Sequence, residues 1–217
     1  MEQGGDRVLL HDGDVLVAGG APPGGGNAST SAELYDPATG TWSGTGSLVT
    51  GRIGAAATLL PDGRVLVTGG CTAECGNQPG LSSAEIYNPG QFGFFSQAAP
   101  MTQGRVFHAA TLLANGDVLV AGGDARYSGP ATSTAEVYTP ALVSVHPSSG
   151  ASGAQVTVSG SGFYAGETVK LLWDSVTVLG HAKTSRAGTF STTITIPQAT
   201  AGTHQSSAQG QRSYAGA

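Results

Sequence analysis

Two cysteines lie close together in the sequence and are the first candidates for chemistry. Cys71 and Cys75 flank the tripeptide Thr-Ala-Glu, and the chain contains no other cysteine. A closed zinc site takes four ligands, so these two sulfurs would need ligands from elsewhere in the chain. In an exported protein their spacing predicts a disulfide within a small loop. Reduced surface thiols and a metal-binding role are the alternative interpretations.

Acidic residues recur in register and do not form catalytic pairs. Glu33, Glu85 and Glu136 occupy equivalent places in a repeat, which marks them as elements of the fold rather than general acids. The sequence contains no Gly-x-Ser-x-Gly motif, phosphate-binding loop or calcium-binding loop. It therefore predicts no catalytic residue and favours a protein that is not an enzyme.

A repeat of about 50 residues positions these side chains. Each copy contains a Leu-Leu pair, an Asp-Gly or Asn-Gly turn, the run Val-Leu-Val-x-Gly-Gly and the tetrapeptide Ala-Glu-x-Tyr. The second glycines of the three copies are Gly20, Gly70 and Gly123. An Asn-Gly or Asp-Gly between apolar runs indicates a β-hairpin, and the pattern predicts four short strands per copy. The continuous apolar run Val118–Ala121 predicts a second strand that is buried on both faces.

The repeat resembles the kelch repeat over Leu9–Pro140. The double glycine, the tyrosine, a later aromatic residue and an Arg-x-x-His segment before the Leu-Leu pair carry the resemblance, although Ala55 stands where the histidine would be in the second copy. The resemblance implies blades of a β-propeller. Aromatic side chains are then predicted to pack between blades, at Tyr35, Tyr87, Trp42 and Phe94.

The third copy is incomplete, because Val145 stands where the outer-strand aromatic residue is expected. Two full blades and one incomplete blade cannot close a propeller, which takes about four to eight. The missing blades are expected upstream in a longer protein or from another chain, and the sequence favours the first arrangement.

The composition changes at Thr139–Val145, where a second domain begins. Its opening, Val143–Gly162 followed by Phe163, resembles immunoglobulin-like modules of the IPT/TIG type. The predicted fold class is therefore all-β, with a partial kelch propeller over residues 1–140 and an immunoglobulin-like β-sandwich over 141–203. Residues 204–217 are rich in Gln, Ser, Gly and Ala, which predicts a loose tail.

The order of these domains resembles the layout of galactose oxidase, a copper radical enzyme. The segment Arg105–His108 resembles that family's Arg-Val-Tyr-His, in which the tyrosine and the histidine bind copper. His108 matches the ligand, but Phe107 replaces the tyrosine and has no oxygen. One histidine does not make a copper site, so no metal or other cofactor is predicted, with copper as the alternative.

Composition limits the cellular location and the class of partner. Charged residues make up 11% of the chain and glycine is abundant, which is typical of secreted or cell-surface bacterial proteins. A net charge of −5 without a basic block argues against nucleic acid. No apolar run is long enough to span a membrane. Residues 1–10 lack the pattern of a signal peptide.

The sequence favours a non-catalytic extracellular binding module. Three variable loops follow the same strand in each copy and should gather on one face, where they could contact a carbohydrate or a protein. The candidate binding residues in these loops are Asn27, Asn77, Gln78, Arg126 and Tyr127. The alternatives are a copper radical oxidase or its degenerate relative, and a structural surface subunit that assembles blades between chains.

Overall fold

The computed structural model describes residues 5–22, 26–72, 78–90, 93–126, 129–174, 177–202, 204, 206–210 and 214–216. All regular elements in these ranges are β-strands, so the chain is all-β as predicted. It divides into two compact units, Met1–Thr139 and Pro140–Ala217. Within the described ranges, no helix has the length and apolar character that a membrane span requires.

The first unit consists of three antiparallel sheets in which consecutive strands pair. The first sheet contains β1–β4, at Asp6–Leu9, Val15–Ala18, Ala32–Asp36 and Thr41–Gly44. The second contains β5–β8, at Ile53–Leu59, Val65–Cys71, Ala84–Asn88 and Phe94–Ala98. The third contains β9–β11, at Ala109–Leu112, Val118–Ala121 and Ala135–Tyr138. In the described part of the chain the third sheet has no fourth strand, which agrees with the incomplete third copy.

Tight hairpins join the first and second strands of each sheet. In the second sheet the Leu60 amide donates to the Arg64 carbonyl over 2.8 Å, and Gly63 has a φ of 86°. Glycine adopts this left-handed conformation without steric strain. The Asp-Gly and Asn-Gly pairs of the sequence therefore fix the register of the strands that follow them.

The second sheet lies between the other two and is buried on both faces. One apolar cluster joins it to the first sheet, with core members Leu10, Leu16, Ala18, Ala32, Leu48, Ala55, Val65, Val67, Tyr87 and Phe95. Another joins it to the third sheet, with core members Leu60, Leu66, Ala84, Ile86, Met101, Val118, Val120 and Tyr138. The prediction that Val118–Ala121 is buried on both faces is wrong, because Val118 and Val120 face the second sheet while Leu119 points to an exposed face.

Of the four aromatic residues predicted to pack between sheets, Tyr87 does so, whereas Phe94, Trp42 and Tyr35 do not, because Tyr35 and Trp42 lie on the outward face of the first sheet. The ring of Tyr87 packs against Phe95, with 5.0 Å between centroids, whereas Phe94 lies opposite Asn88 and is partly exposed. The connection between β7 and β8 is one residue longer than its counterpart in the first sheet, so the aromatic residue that faces inward is Phe95. Tyr35 and Trp42 form the equivalent pair in the first sheet, also at 5.0 Å.

A buried arginine ties together separate segments of the second sheet. The Arg52 guanidinium donates to the carbonyls of Gly69 and Ser83 and forms an ion pair of 2.9 Å with Glu85. Both charged side chains are almost fully buried. Burial lowers the pKa of Arg52, an effect that the neighbouring Glu85 carboxylate partly offsets.

Glu85 completes this network by accepting hydrogen bonds from two backbone amides. Its carboxylate oxygens lie 2.7 Å and 3.0 Å from the amide nitrogens of Val49 and Thr50. The network therefore joins the segment before β5 to the ends of the next two strands. The third sheet repeats it, because Arg105 donates to the Gly122 and Thr134 carbonyls and pairs with Glu136 over 3.4 Å.

The second unit consists of two antiparallel sheets. One contains β12, β13 and β16, at Leu142–His146, Gln155–Ser161 and Phe190–Thr195. The other contains β14, β15, β17 and β18, at Thr168–Trp173, Thr177–Lys183, Ser206–Gln209 and Tyr214–Gly216. Their buried side chains form one core, which includes the rings of Phe163 and Phe190 with 5.4 Å between centroids.

The end of the chain differs from the predicted loose tail at 204–217. β17 pairs with β14, which places Ala208 opposite Leu171 in the core, and β18 pairs with β17. Ser206, Ser207 and Ala208 are buried although none has a large apolar side chain. Main-chain hydrogen bonds and close packing of small side chains hold this strand, so apolar alternation could not reveal it.

Replacement of Glu85 with glutamine is expected to destabilise the first unit by about 3–5 kcal/mol, because it leaves the buried Arg52 charge uncompensated. Urea unfolding followed by circular dichroism measures this change. Glu33→Gln is the matched control, because Glu33 occupies the same place in the first repeat and is exposed. A loss below about 1 kcal/mol for Glu85→Gln would show that the ion pair contributes little.

Candidate functional site

The described parts of three loops lie side by side at one end of the first unit, and their surface is here named the loop surface. They follow the second strand of each sheet, at residues 19–22 and 26–31, 72 and 78–83, and 122–126 and 129–134. The Ala28 amide of the first loop donates to the Thr72 carbonyl of the second over 2.8 Å. The Gly80 amide of the second loop donates to the Ala125 carbonyl of the third over 2.8 Å, beside a β-bridge between Pro79 and Arg126.

The loop surface contains three of the predicted binding residues. Asn27, Gln78 and Arg126 are all exposed, one on each loop. The backbone contacts between loops therefore place on neighbouring segments three residues that are each about 50 residues apart in sequence. Asn77 and Tyr127 lie outside the described residues, so their roles stay predictions.

Cys71 ends strand β6 at the base of the second loop and is fully buried. Its sulfur does not carry a free thiol. Cys75 lies outside the described residues, so a Cys71–Cys75 disulfide stays a prediction. A buried sulfur in this state cannot act as a nucleophile.

Phe107 is an exposed aromatic residue beside the loop surface. Its neighbour Val106 forms a β-bridge with Asp124 of the third loop, and the Phe107 amide donates to the Gly54 carbonyl over 2.8 Å. The side chain is 53% exposed, and its φ of 56° lies in the left-handed region. A bulky residue in that region costs on the order of 1–3 kcal/mol, and such strain often occurs at functional sites.

Phe107 is not among the binding residues predicted from the sequence, although the sequence contains a clue to its unusual backbone. Gly54 occupies the same place in the second repeat and has a φ of 65°. A glycine at that place indicates a backbone conformation that disfavours side chains. At the equivalent place in the third repeat, Phe107 has the same strained backbone and an exposed ring. Stability alone does not explain a phenylalanine at this position.

His108 follows Phe107 but points into the interior. Its Nε2 atom lies 2.9 Å from the Thr68 hydroxyl, and its buried Nδ1 atom has no hydrogen-bond partner. Burial, reinforced by the positive charge of Arg105, lowers the pKa of His108 to about 4. The imidazole is therefore neutral at physiological pH.

The residues around His108 do not fit a copper site. Phe107 supplies no ligating atom, and the Nε2 atom of His108 is engaged by Thr68. Among the described residues, no group of three or more His, Cys, Asp or Glu side chains could hold a metal ion. Copper needs several convergent nitrogen and oxygen ligands, which this part of the chain does not bring together.

A cavity of about 640 Å³ lies in the second unit. Its walls are mainly Ser, Gly, Ala and Pro, with Trp173 and Ile196 as the large apolar side chains. The imidazole of His204 stacks on the Trp173 ring with 4.8 Å between centroids. Its two nitrogens lie 2.7 Å from Asp174 Oδ2 and 2.8 Å from the Thr200 carbonyl oxygen.

Both partners of His204 are hydrogen-bond acceptors, so both ring nitrogens must donate. The Thr200 carbonyl, together with the Asp174 carboxylate, accordingly raises the pKa of His204. The imidazole of His204 thus links the segment before β17 to Asp174, which directly follows β14. Within the part of the chain that the structure describes, the cavity wall contains no group of three or more side chains that could hold a metal ion.

Comparisons with known proteins agree with this architecture. Residues 139–217 match the macroglobulin-like domain, an immunoglobulin-like family. A solved structure of a fungal alcohol oxidase of the AA5 family, in complex with copper, is similar with a TM-score of 0.51 and 15% identity. The match covers 99% of this chain and 53% of that chain, so this chain spans about half its length. At such low identity the likeness shows the fold alone. No curated protein matches the sequence.

Replacement of His108 with glutamine is expected to alter the pH dependence of stability. Below about pH 6.5 the unfolded chain takes up a proton on His108, whereas the folded chain does so only near its pKa of about 4. The stability that neutral His108 provides is therefore present above pH 6.5 and is lost as the pH falls. The free energy of unfolding of the wild type, relative to His108→Gln, should fall by about 2–3 kcal/mol between pH 7 and pH 4.5.

Urea unfolding at the two pH values measures that difference. The comparison with the variant is necessary because burial raises the pKa of Asp6 to about 7, which changes stability in the opposite direction over this range. Parallel pH profiles of the wild type and His108→Gln would contradict a buried neutral imidazole.

Proposed function

We propose that the first unit belongs to a kelch-type β-propeller and that its loop surface binds a ligand without catalysis. The observation that carries the proposal is the set of main-chain hydrogen bonds that join the three loops. Loops held on a rigid scaffold are where binding residues concentrate. In the same proposal, the second unit is an immunoglobulin-like module of the IPT/TIG type that acts as a spacer or adhesion unit.

The chemistry of the loop surface favours a carbohydrate ligand. Asn27 and Gln78 supply amides that donate and accept hydrogen bonds, and Arg126 supplies a guanidinium that donates them. Phe107 supplies an exposed ring on which the C–H face of a sugar could pack. A ring together with amide and guanidinium groups on neighbouring segments suits hydroxyl-rich ligands. A polar protein surface is the other partner that the same groups could contact.

The proposed location is extracellular or at the cell surface. It rests on the low content of charged residues, the abundance of glycine and a cysteine without a free thiol. Disulfides persist in oxidising compartments and are rare in the cytosol. Glycans and surface proteins are the partners available in that compartment.

A printed glycan array, followed by calorimetric titration of a retained glycan, tests the proposal. Removing the ring with Phe107→Gly or the guanidinium with Arg126→Ala should weaken binding at least tenfold. Phe107→Gly should not destabilise the fold, because glycine tolerates the φ of 56°. Arg186→Ala is the matched control, since Arg186 is an exposed arginine of the second unit.

The array result separates the two classes of partner. Retention of a glycan that both loop-surface variants lose supports the proposal. Retention of no glycan, or equal binding by both variants and the wild type, overturns carbohydrate binding at the loop surface.

A copper radical oxidase, or its degenerate relative, is the second candidate function. The similarity to an AA5 alcohol oxidase favours it, while the side chains around His108 do not fit the metal. We expect the wild type to bind Cu²⁺ no more tightly than His108→Gln. Calorimetric titration with Cu²⁺ and electron paramagnetic resonance measure this directly. Tight Cu²⁺ binding by the wild type that His108→Gln loses would instead support the oxidase hypothesis.

A further inference from the structure

The first and third sheets of the first unit each have one apolar face that is exposed. The first sheet presents Leu9, Val15, Tyr35 and Trp42 outward, and this group is here named the Trp42 face. The third sheet presents Leu119, Ala121, Ala135 and Val137 outward, and this group is here named the Val137 face. Strand pairing places the members of each group on one side of their sheet. Exposed apolar patches of this kind often mark interaction sites.

The middle sheet shows what covers a face of each type. Its counterpart of the Trp42 face, with Val65, Tyr87 and Phe95, packs against Leu16 and Ala32 of the first sheet. Phe95 is 8% exposed under that cover, whereas Trp42 in the equivalent place is 49% exposed. A face made of valine and aromatic side chains, as the Trp42 face is, can therefore be buried against a face made of leucine and alanine side chains.

The same comparison holds for the opposite side. The counterpart of the Val137 face in the middle sheet contains Leu66, Ala84 and Ile86, and it packs against Val118 and Tyr138 of the third sheet. Ile86 is 1% exposed under that cover, whereas Val137 in the equivalent place is 56% exposed. The Val137 face is therefore of the leucine-and-alanine type that covers a valine-and-tyrosine face.

The two exposed faces are the two halves of one interface that already occurs twice within the unit. We propose that a second copy of this chain binds head to tail, with its Val137 face on the Trp42 face of the first copy. The contact is heterologous, because different surfaces of identical chains meet. Arg7 and Glu33 lie opposite Val17 at one end of the Trp42 face and form its polar edge.

In an assembly of two copies, both apolar faces of each chain can be buried. Each chain contributes three sheets, so two chains joined through two identical contacts form a ring of six, within the range of about four to eight for closed propellers. A head-to-tail contact that does not close would instead give longer assemblies. The inference concerns the sheet faces and does not depend on ligand binding at the loop surface.

Light scattering behind size exclusion is the first measurement, and it should give twice the 21.5-kDa mass of one chain, or a larger discrete assembly. Trp42→Glu and Val137→Glu each place a charge on one face and should each give monomers. Thr157→Glu adds the same charge to an exposed strand position of the second unit and should leave the assembly intact. Circular dichroism checks that each variant folds, and Trp42→Ser replaces Trp42→Glu if that variant unfolds.

Mixing the two face variants tests the head-to-tail orientation. Trp42→Glu retains an intact Val137 face and Val137→Glu retains an intact Trp42 face, so their mixture should form a dimer through one contact although neither associates alone. A dimer of either variant alone would indicate contact between identical faces and would overturn the proposal. A wild-type chain that stays monomeric at all concentrations would also overturn it, and would indicate that the faces are covered within one longer polypeptide.

Discussion

The buried arginine–glutamate pair is the interaction on which the first unit depends. Arg52 fixes the carbonyls where β6 ends and β7 begins, and Glu85 fixes the backbone before β5. A guanidinium is suited to this role because its five N–H groups diverge in a rigid plane. The pair occurs at the end of the sheet from which the loops emerge. Arginine–glutamate pairs therefore hold the strand ends from which the second and third loops emerge, while the apolar clusters hold the sheets against one another.

Much of the first unit could be predicted from sequence because its signals are local and recur. The Asp-Gly and Asn-Gly turns, the double glycines and the Ala-Glu-x-Tyr segments each determine a few residues of backbone, and three copies in register reinforce one another. Packing across sheets was harder to predict. The choice of Phe95 over Phe94 depends on a connection that is one residue longer, which the spacing of aromatic residues alone did not reveal.

Other features could not be predicted because their cause is tertiary. β17 contains only Ser, Ala and Gln and is stabilised by pairing with β14, so the sequence of residues 204–217 has no apolar pattern that predicts a strand. The exposure of Leu119 depends on whether another sheet follows, which a local apolar run does not encode. At the candidate site, sequence identified polar loop residues but missed Phe107, because its interest lies in a backbone angle and not in its residue type.

The two tryptophans give the chain a separate optical reporter in each unit. Trp42 is 49% exposed on the first unit, whereas Trp173 of the second unit stacks on the imidazole of His204. Because the two indoles lie in different surroundings, a change confined to one unit alters the emission of one tryptophan and leaves that of the other unchanged.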